Sequence, residues 1–142
     1  MMSTIEMTTH KQAIQKAVDA RDNELRELAL QIHNHPELSF KEFKAVEYLT
    51  SFLEKEGFHI EKGVAELETA FVAEWEGVSG GPTIAFIAEY DALPEIGHAC
   101  GHNIIAASAV GAAIALKDAF PNLQGKIKVI GTPAEENGGG KI

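Results

Sequence analysis

An α/β layered domain with its chemistry at strand ends is predicted by three stretches in order. Thr83 to Ala88 (T-I-A-F-I-A) is continuously apolar, as expected of an interior strand covered on both faces, and it delivers Glu89, Tyr90 and Asp91 at its carboxyl end. Ile104 to Phe120 is apolar nearly all round and rich in Ala and Gly, which predicts a helix buried on several sides and packed close to a sheet. Lys126 to Gly131 then repeats the apolar strand pattern and runs into Glu135 and Glu136.

The remaining elements follow from periodicity and from breakers. Residues up to Thr9 are polar and aperiodic and read as a flexible end, with residues 10–142 forming the domain. From His10, apolar positions at Ile14, Val18, Leu25, Leu28, Ala29 and Ile32 recur at helical spacing as far as the His35-Pro36 stop, so one amphipathic surface helix is expected. Ser39 and Glu42 have the spacing of a capping box for a second helix, whose buried stripe is Phe43, Val46, Leu49, Phe52 and Leu53 and whose end is Gly57. Phe58 to Gly63 and Thr69 to Glu76 alternate apolar and polar residues, the latter with Phe71, Ala73 and Trp75 on one face, so the two are expected to pair as a hairpin. Gly77 to Pro82 reads as the turn before the next strand, and Asn103 as the N-cap of the apolar helix.

Composition narrows the function classes. The 142 residues suffice for one domain with a core. Twelve Lys and Arg against 21 Asp and Glu give a formal net charge of −9, which disfavours binding to nucleic acid or to anionic membranes; a cationic or metal-bridged small ligand fits better. A single cysteine cannot form an internal disulfide, no secretory signal pattern opens the chain, and no apolar run reaches the roughly 18 residues of a membrane span, so a soluble, cytoplasmic protein is expected.

The chemistry-bearing residues concentrate in two runs. Glu89 to Asn103 (E-Y-D-A-L-P-E-I-G-H-A-C-G-H-N) places Cys100 and His102 one residue apart, with Gly101 between them permitting torsions that let both reach one cation. A position just before a helix N-terminus also favours the thiolate form of Cys100. Gly131 to Lys141 (G-T-P-A-E-E-N-G-G-G-K) supplies adjacent carboxylates that can divide labour, one binding a metal and its neighbour acting as general base on water. Each has an ordinary counterpart: a buried inert thiol for Cys100 and a solvated acidic turn for Glu135 and Glu136.

With the upstream run H-N-H-P-E-L-S-F-K-E (His33 to Glu42), these two runs resemble the amidohydrolase branch of the aminoacylase and carboxypeptidase G-type metallopeptidases, in particular the p-aminobenzoyl-glutamate hydrolase and dipeptidase-like subgroup. The resemblance extends from about Glu24 onward. It implies a three-layer α/β/α sandwich, with this chain as the N-terminal part of a zinc-peptidase-like catalytic domain whose two further histidine ligands lie later. It implies that Cys100, His102 and Glu136 hold metal with Cys100 bridging, that Glu135 is the catalytic base, and that Asp91 is the acid orienting the metal site. Two Zn or Mn ions are implied for the complete enzyme, which would hydrolyse the amide bond of an N-acyl amino acid or small dipeptide; this portion is expected to be poorly active. Glu89 stands where some relatives carry a first histidine ligand, and Asn103 where many carry Asp, so the role of Glu89 stays open.

His98 reads as a loop histidine bonded to backbone, and His33, His35 and His59 as structural or solvent-exposed. Two other classes compete with the metallo-amidohydrolase. One is a catalytically dead metal-binding or interaction module. The other is a Cys-His thiol hydrolase, which needs a general base beside Cys100. Because the apolar helix and the last strand need cover on more than one face, a homo-oligomer is expected.

Overall fold

The computed structural model describes residues 4–142; Met1–Ser3, part of the segment expected to be flexible, lie outside the described residues. Helix α1 spans Thr4–Asp19 and helix α2 Asp22–Asn34, so the single helix expected from His10 to His35 is two. The break needs neither Pro nor Gly. The last turn of α1 tightens, with the Arg21 N–H donating to the Val18 carbonyl at 2.9 Å. The break turns the Arg21 guanidinium onto both oxygens of Glu56, at 2.7 and 2.9 Å, and onto Asp118 at 3.1 Å. The apolar periodicity passes through the break because both helices pack on the same later helix, α4 (His102–Ala119).

Helix α3 spans Phe43–Lys55 and ends at Gly57, which takes φ 85°. Its buried stripe contains Val46, Leu49 and Leu53 as expected, whereas Phe43 is exposed. The Ser39–Glu42 capping box does not form. The first turn is satisfied instead by the Glu37 carboxylate, which accepts from the Lys44 and Ala45 amides at 2.8 and 3.1 Å, and both expected capping residues are used elsewhere.

The sheet has the order β1-β2-β4-β3, with β1 His59–Lys62, β2 Phe71–Glu76, β3 Val78–Ala88 and β4 Gln124–Gly131. β1 and β2 form the expected antiparallel pair, His59 opposite Glu74. β2 pairs antiparallel with β4, and β3 parallel with β4, from Thr83 opposite Lys126 to Ala88 opposite Gly131. Two expectations change here. The Gly77–Pro82 turn is largely strand, since β3 begins at Val78 and absorbs a register shift before Thr83. β3 is also an edge strand among the described residues, with Ile84 and Ile87 exposed, rather than a strand covered on both faces. A continuous apolar run reports the burial a strand is suited to; it does not say which neighbours supply it.

Phe71, Ala73, Ile127 and Val129 project from one sheet face into a core shared with Val46, Leu49, Leu53, Val110 and Ile114. On the other face Glu74 lies between Lys126 and Lys128, at 2.6 and 2.9 Å, and no helix of the described residues covers it. Helix α4 is Ala-rich for a visible reason: a Cβ on Gly111 would stand 2.8 Å from Leu25 Cδ1, so α2 and α4 approach closely. No helix of the described residues is long and apolar enough to cross a membrane.

The parallel pair β3 and β4 positions the chemistry. Both strands finish level, and the Thr132 amide extends the ladder by donating to the Ala88 carbonyl at 2.8 Å. The segments leaving them, 89–91 and 132–136, therefore emerge side by side. Helix α4, the connection between the two strands, begins at the same end with His102.

Candidate metal centre

The segment leaving β3 is pinned by Tyr90. Its ring is fully buried, stacks on Phe71 at 6.0 Å between centroids, and its hydroxyl donates to the Thr69 carbonyl at 2.6 Å. Burial, reinforced by Glu42 and Asp91, pushes the phenol far above its ordinary pKa, so it stays a neutral donor. A turn closed by paired hydrogen bonds between Leu93 and Gly97 then leads into a short 3-10 turn, His98–Cys100. Gly101, at φ 86°, reverses the chain into α4. That left-handed residue is what allows Cys100 and His102 to face one space.

Asp91 organises the centre. Fully buried, it accepts from the Ser39 hydroxyl at 3.1 Å and from the Glu136 amide at 3.0 Å, both on Oδ2. Its backbone carbonyl accepts from His102 Nδ1 at 2.9 Å and from the Cys100 thiol at 3.6 Å. Asp91 Oδ1 also lies 2.9 Å from His102 Nδ1, but the ring proton serves the carbonyl and Oδ1 makes no hydrogen bond of its own. With Nδ1 occupied as donor, Nε2 of the neutral ring presents its lone pair to Glu89 Oε2 at 3.5 Å, Glu135 Oε2 at 3.6 Å and Glu136 Oε1 at 3.9 Å.

Two donor groups result. The ligand-type atoms of Cys100, His102 and Glu136 all lie within 4.8 Å of one another, and so do those of Glu89, His102 and Glu135. Thiolate, imidazole and carboxylate are donors suited to zinc and to other first-row divalent ions, so the residues present fit a metal. The first group is the one read from the sequence. The second brings in Glu89, whose role was open, and adds Lys141, whose ammonium pairs with Glu89 and is held above the ordinary lysine pKa chiefly by that contact. The thiol finds no general base among its partners: it donates to a carbonyl, and His102 Nδ1 is committed to that same carbonyl.

Several residues differ from expectation. Asn103 does not cap α4; it lies inside the helix and its Nδ2 donates to the Ala29 carbonyl at 3.2 Å, tying α4 to α2, while Gly101 holds the cap position. His98 is not bonded to backbone. Its ring is 7 % exposed and neither nitrogen has a hydrogen-bond partner among the described residues, the Ile32 carbonyl approaching too loosely to count as one. Burial first, then neighbouring His33 and His102, lowers the His98 pKa. His33, His35 and His59 are exposed. Ser39 and Glu42, read as capping residues, are support for the centre, a use that local spacing does not announce.

The sequence model described as peptidase family M20/M25/M40 matches residues 85–142. Over 99 % of its length the chain is 41 % identical to the Xaa-Arg dipeptidase of Mus musculus, covering 35 % of that protein. The chain belongs to peptidase family M20/M25/M40. Other M20 relatives include a p-aminobenzoyl-glutamate hydrolase polypeptide of Escherichia coli, 36 % identical over 90 % of this chain and 30 % of that protein. Among solved structures, a dinuclear metal-binding M20 peptidase of Bacillus subtilis superposes with a TM-score of 0.73 at 35 % identity, covering 83 % of this chain and 36 % of that one. The chain thus spans about a third of the length of the M20 proteins it matches, and the α/β fold is that of their catalytic domains.

Proposed function

We propose that this chain carries part of the active site of a divalent-metal amidohydrolase that cleaves the amide bond of an N-acyl amino acid or small dipeptide. Cys100, His102 and Glu136 hold metal, and Glu135 is the general base. The observation that carries the reading is the orientation of His102: Nδ1 is tied to the Asp91 carbonyl and Nε2 faces three carboxylates. A buried imidazole so placed is disposed to share a cation with them. The names of the M20 relatives, a dipeptidase and a p-aminobenzoyl-glutamate hydrolase, support the substrate class.

When bound, the metal supplies Lewis acidity toward a carbonyl oxygen and lowers the pKa of water. Glu135, with 37 % of its side chain exposed, is open to water and substrate. It accepts a proton from the attacking water as the water oxygen bonds to the amide carbon, then returns that proton to the leaving nitrogen as the C–N bond breaks. Asp91 holds His102, Cys100 and the Glu136 backbone in register.

Titration with Co²⁺ tests the site. A thiolate-to-cobalt absorption band in the near ultraviolet is expected, absent in Cys100→Ser, together with metal-dependent protection of Cys100 from alkylation. A thiol that alkylates equally fast with and without metal would refute this ligand set. Metal-dependent hydrolysis of a panel of N-acyl amino acids and dipeptides, by the chain or by the longer protein containing it, tests the reaction.

A further inference from the structure

The Glu42 carboxylate is fully buried and has no cationic partner among the described residues. Its Oε1 accepts from two backbone amides, Phe40 and Ala134, each at 2.9 Å, and its Oε2 accepts from the Thr69 hydroxyl at 2.8 Å. Those two amides belong to residues of one unusual kind. Phe40 has φ 63° and Ala134 has φ 57°, the left-handed region that a residue with a Cβ disfavours. One buried oxygen therefore holds two strained backbone positions that are far apart in sequence. Hydrogen bonds to a charged acceptor in a low-dielectric interior are stronger than neutral ones, so this clamp can maintain conformations that neither segment would keep alone.

The position of Ala134 matters more than the strain itself, because Glu135 and Glu136 follow it directly. The turn is held again downstream: the Gly139 amide donates to the Ala134 carbonyl at 2.8 Å, and the Glu136 amide to Asp91 Oδ2 at 3.0 Å. Phe40 contributes its side chain as well. A Cβ added at Gly138 would stand 2.3 Å from the Phe40 ring and 2.9 Å from the Ala134 methyl, so the ring lies directly on the glycine turn after the carboxylate pair. Both residues clamped by Glu42 thus bracket residues 134–138.

We infer that Glu42 is a positioning residue for the Glu135–Glu136 pair, acting through the left-handed backbone of Ala134. The inference rests on the reading of that pair as base and ligand for its functional meaning. Its structural content stands on the Glu42–Ala134 contact alone.

The test uses amide hydrogen exchange on the metal-free chain, read by nuclear magnetic resonance at Ala134, Glu136 and Gly139. Glu42→Met, which keeps the side-chain volume but removes the acceptor, should speed exchange at these amides by about tenfold or more. Adding Ala134→Gly, which accepts the left-handed conformation without penalty, should return the Glu136 and Gly139 rates most of the way. Adding Glu95→Gly, which relieves a left-handed residue in the Leu93–Gly97 turn, should not. Rescue specific to position 134 is what a purely structural role for Glu42 would not produce. Should Glu42→Met fail to fold, Glu42→Gln carries the same comparison with a several-fold effect, because it retains an oxygen but loses the charge. Unchanged exchange in both Glu42 variants, or equal rescue from positions 95 and 134, would overturn the inference. Co²⁺ titration separates the two readings. Absence of cobalt binding by the wild-type chain would count against the metal site and leave the exchange result to decide the role of Glu42.

Discussion

His102 Nδ1 donates to the backbone carbonyl of Asp91 at 2.9 Å, and this one bond decides which way the imidazole faces. It links the first residue of α4 to the segment leaving β3, and it leaves Nε2 as the ring's available lone pair. Both candidate donor groups contain His102, and one Nε2 ligates one ion. The described residues therefore supply a full three-donor set for one metal at a time.

Metal stoichiometry should reflect that sharing. Calorimetric titration of the 142-residue chain with Zn²⁺ or Mn²⁺ is expected to show one tighter ion, with a second binding at least about tenfold more weakly for want of ordered ligands. Two equally tight ions would show that the groups fill independently and that the assignment of His102 to both is wrong.

Asp91→Ala should be costly in two measurable ways. It strands the Glu136 amide and the Ser39 hydroxyl, for a loss of about 2–4 kcal/mol in unfolding free energy. It should also weaken metal binding by about 10- to 100-fold, the usual effect of losing a group that orients a ligand. Ser39→Ala removes one of the same contacts and should cost about 1 kcal/mol with little change in affinity. Denaturant unfolding and metal titration on the three proteins check the ordering.

His98 should make stability depend on pH. Its folded-state pKa is lowered by burial below the ordinary 6.5, so the unfolded chain binds the proton more readily. The stability associated with the neutral ring is fully present above about pH 6.5 and is lost as pH falls below that value toward the depressed folded pKa. The thermal midpoint should therefore drop less between about pH 7.5 and 5.5 in His98→Leu than in the wild type. An identical drop in both proteins would remove His98 from the account.

Gly131→Ala tests the close approach at the end of β4. A Cβ there would stand 2.1 Å from the Phe71 ring, which is fully buried and stacked on Tyr90, so the ring cannot retreat freely. Overpacking of this kind costs about 1–3 kcal/mol. Phe71→Leu should offset part of the loss when combined with Gly131→Ala, giving a coupling energy of about 0.5 kcal/mol or more in a double-mutant cycle.

The free edge of β3 is expected to recruit a second copy of the chain. Val78, Ile84 and Ile87 are exposed along a strand whose outer side is unpaired among the described residues. Light scattering across a dilution series should show a dimer or higher oligomer, and Ile84→Lys together with Ile87→Lys should shift it toward monomer. A monomer at high micromolar concentration in the unsubstituted chain would contradict this.

The amino-acid sequence by itself determined the α/β class, the β1–β2 pairing and the composition of the two site runs. These follow from periodicity, from breakers such as Gly57, and from donor side chains gathered in short segments, all of them local properties. The meeting of Glu89 with His102 and Glu135, the use of Asn103 to join two helices, and the service of Ser39 and Glu42 to Asp91 and Ala134 were decided only in the tertiary structure. Ser39 and Glu42 had the spacing of a capping box, yet Glu37 satisfied the helix and left both side chains to the site. The physical reason is that a buried polar group takes whichever partner desolvation leaves within reach. That partner is set by two parallel strands ending level and a helix starting beside them, relations that no local spacing records.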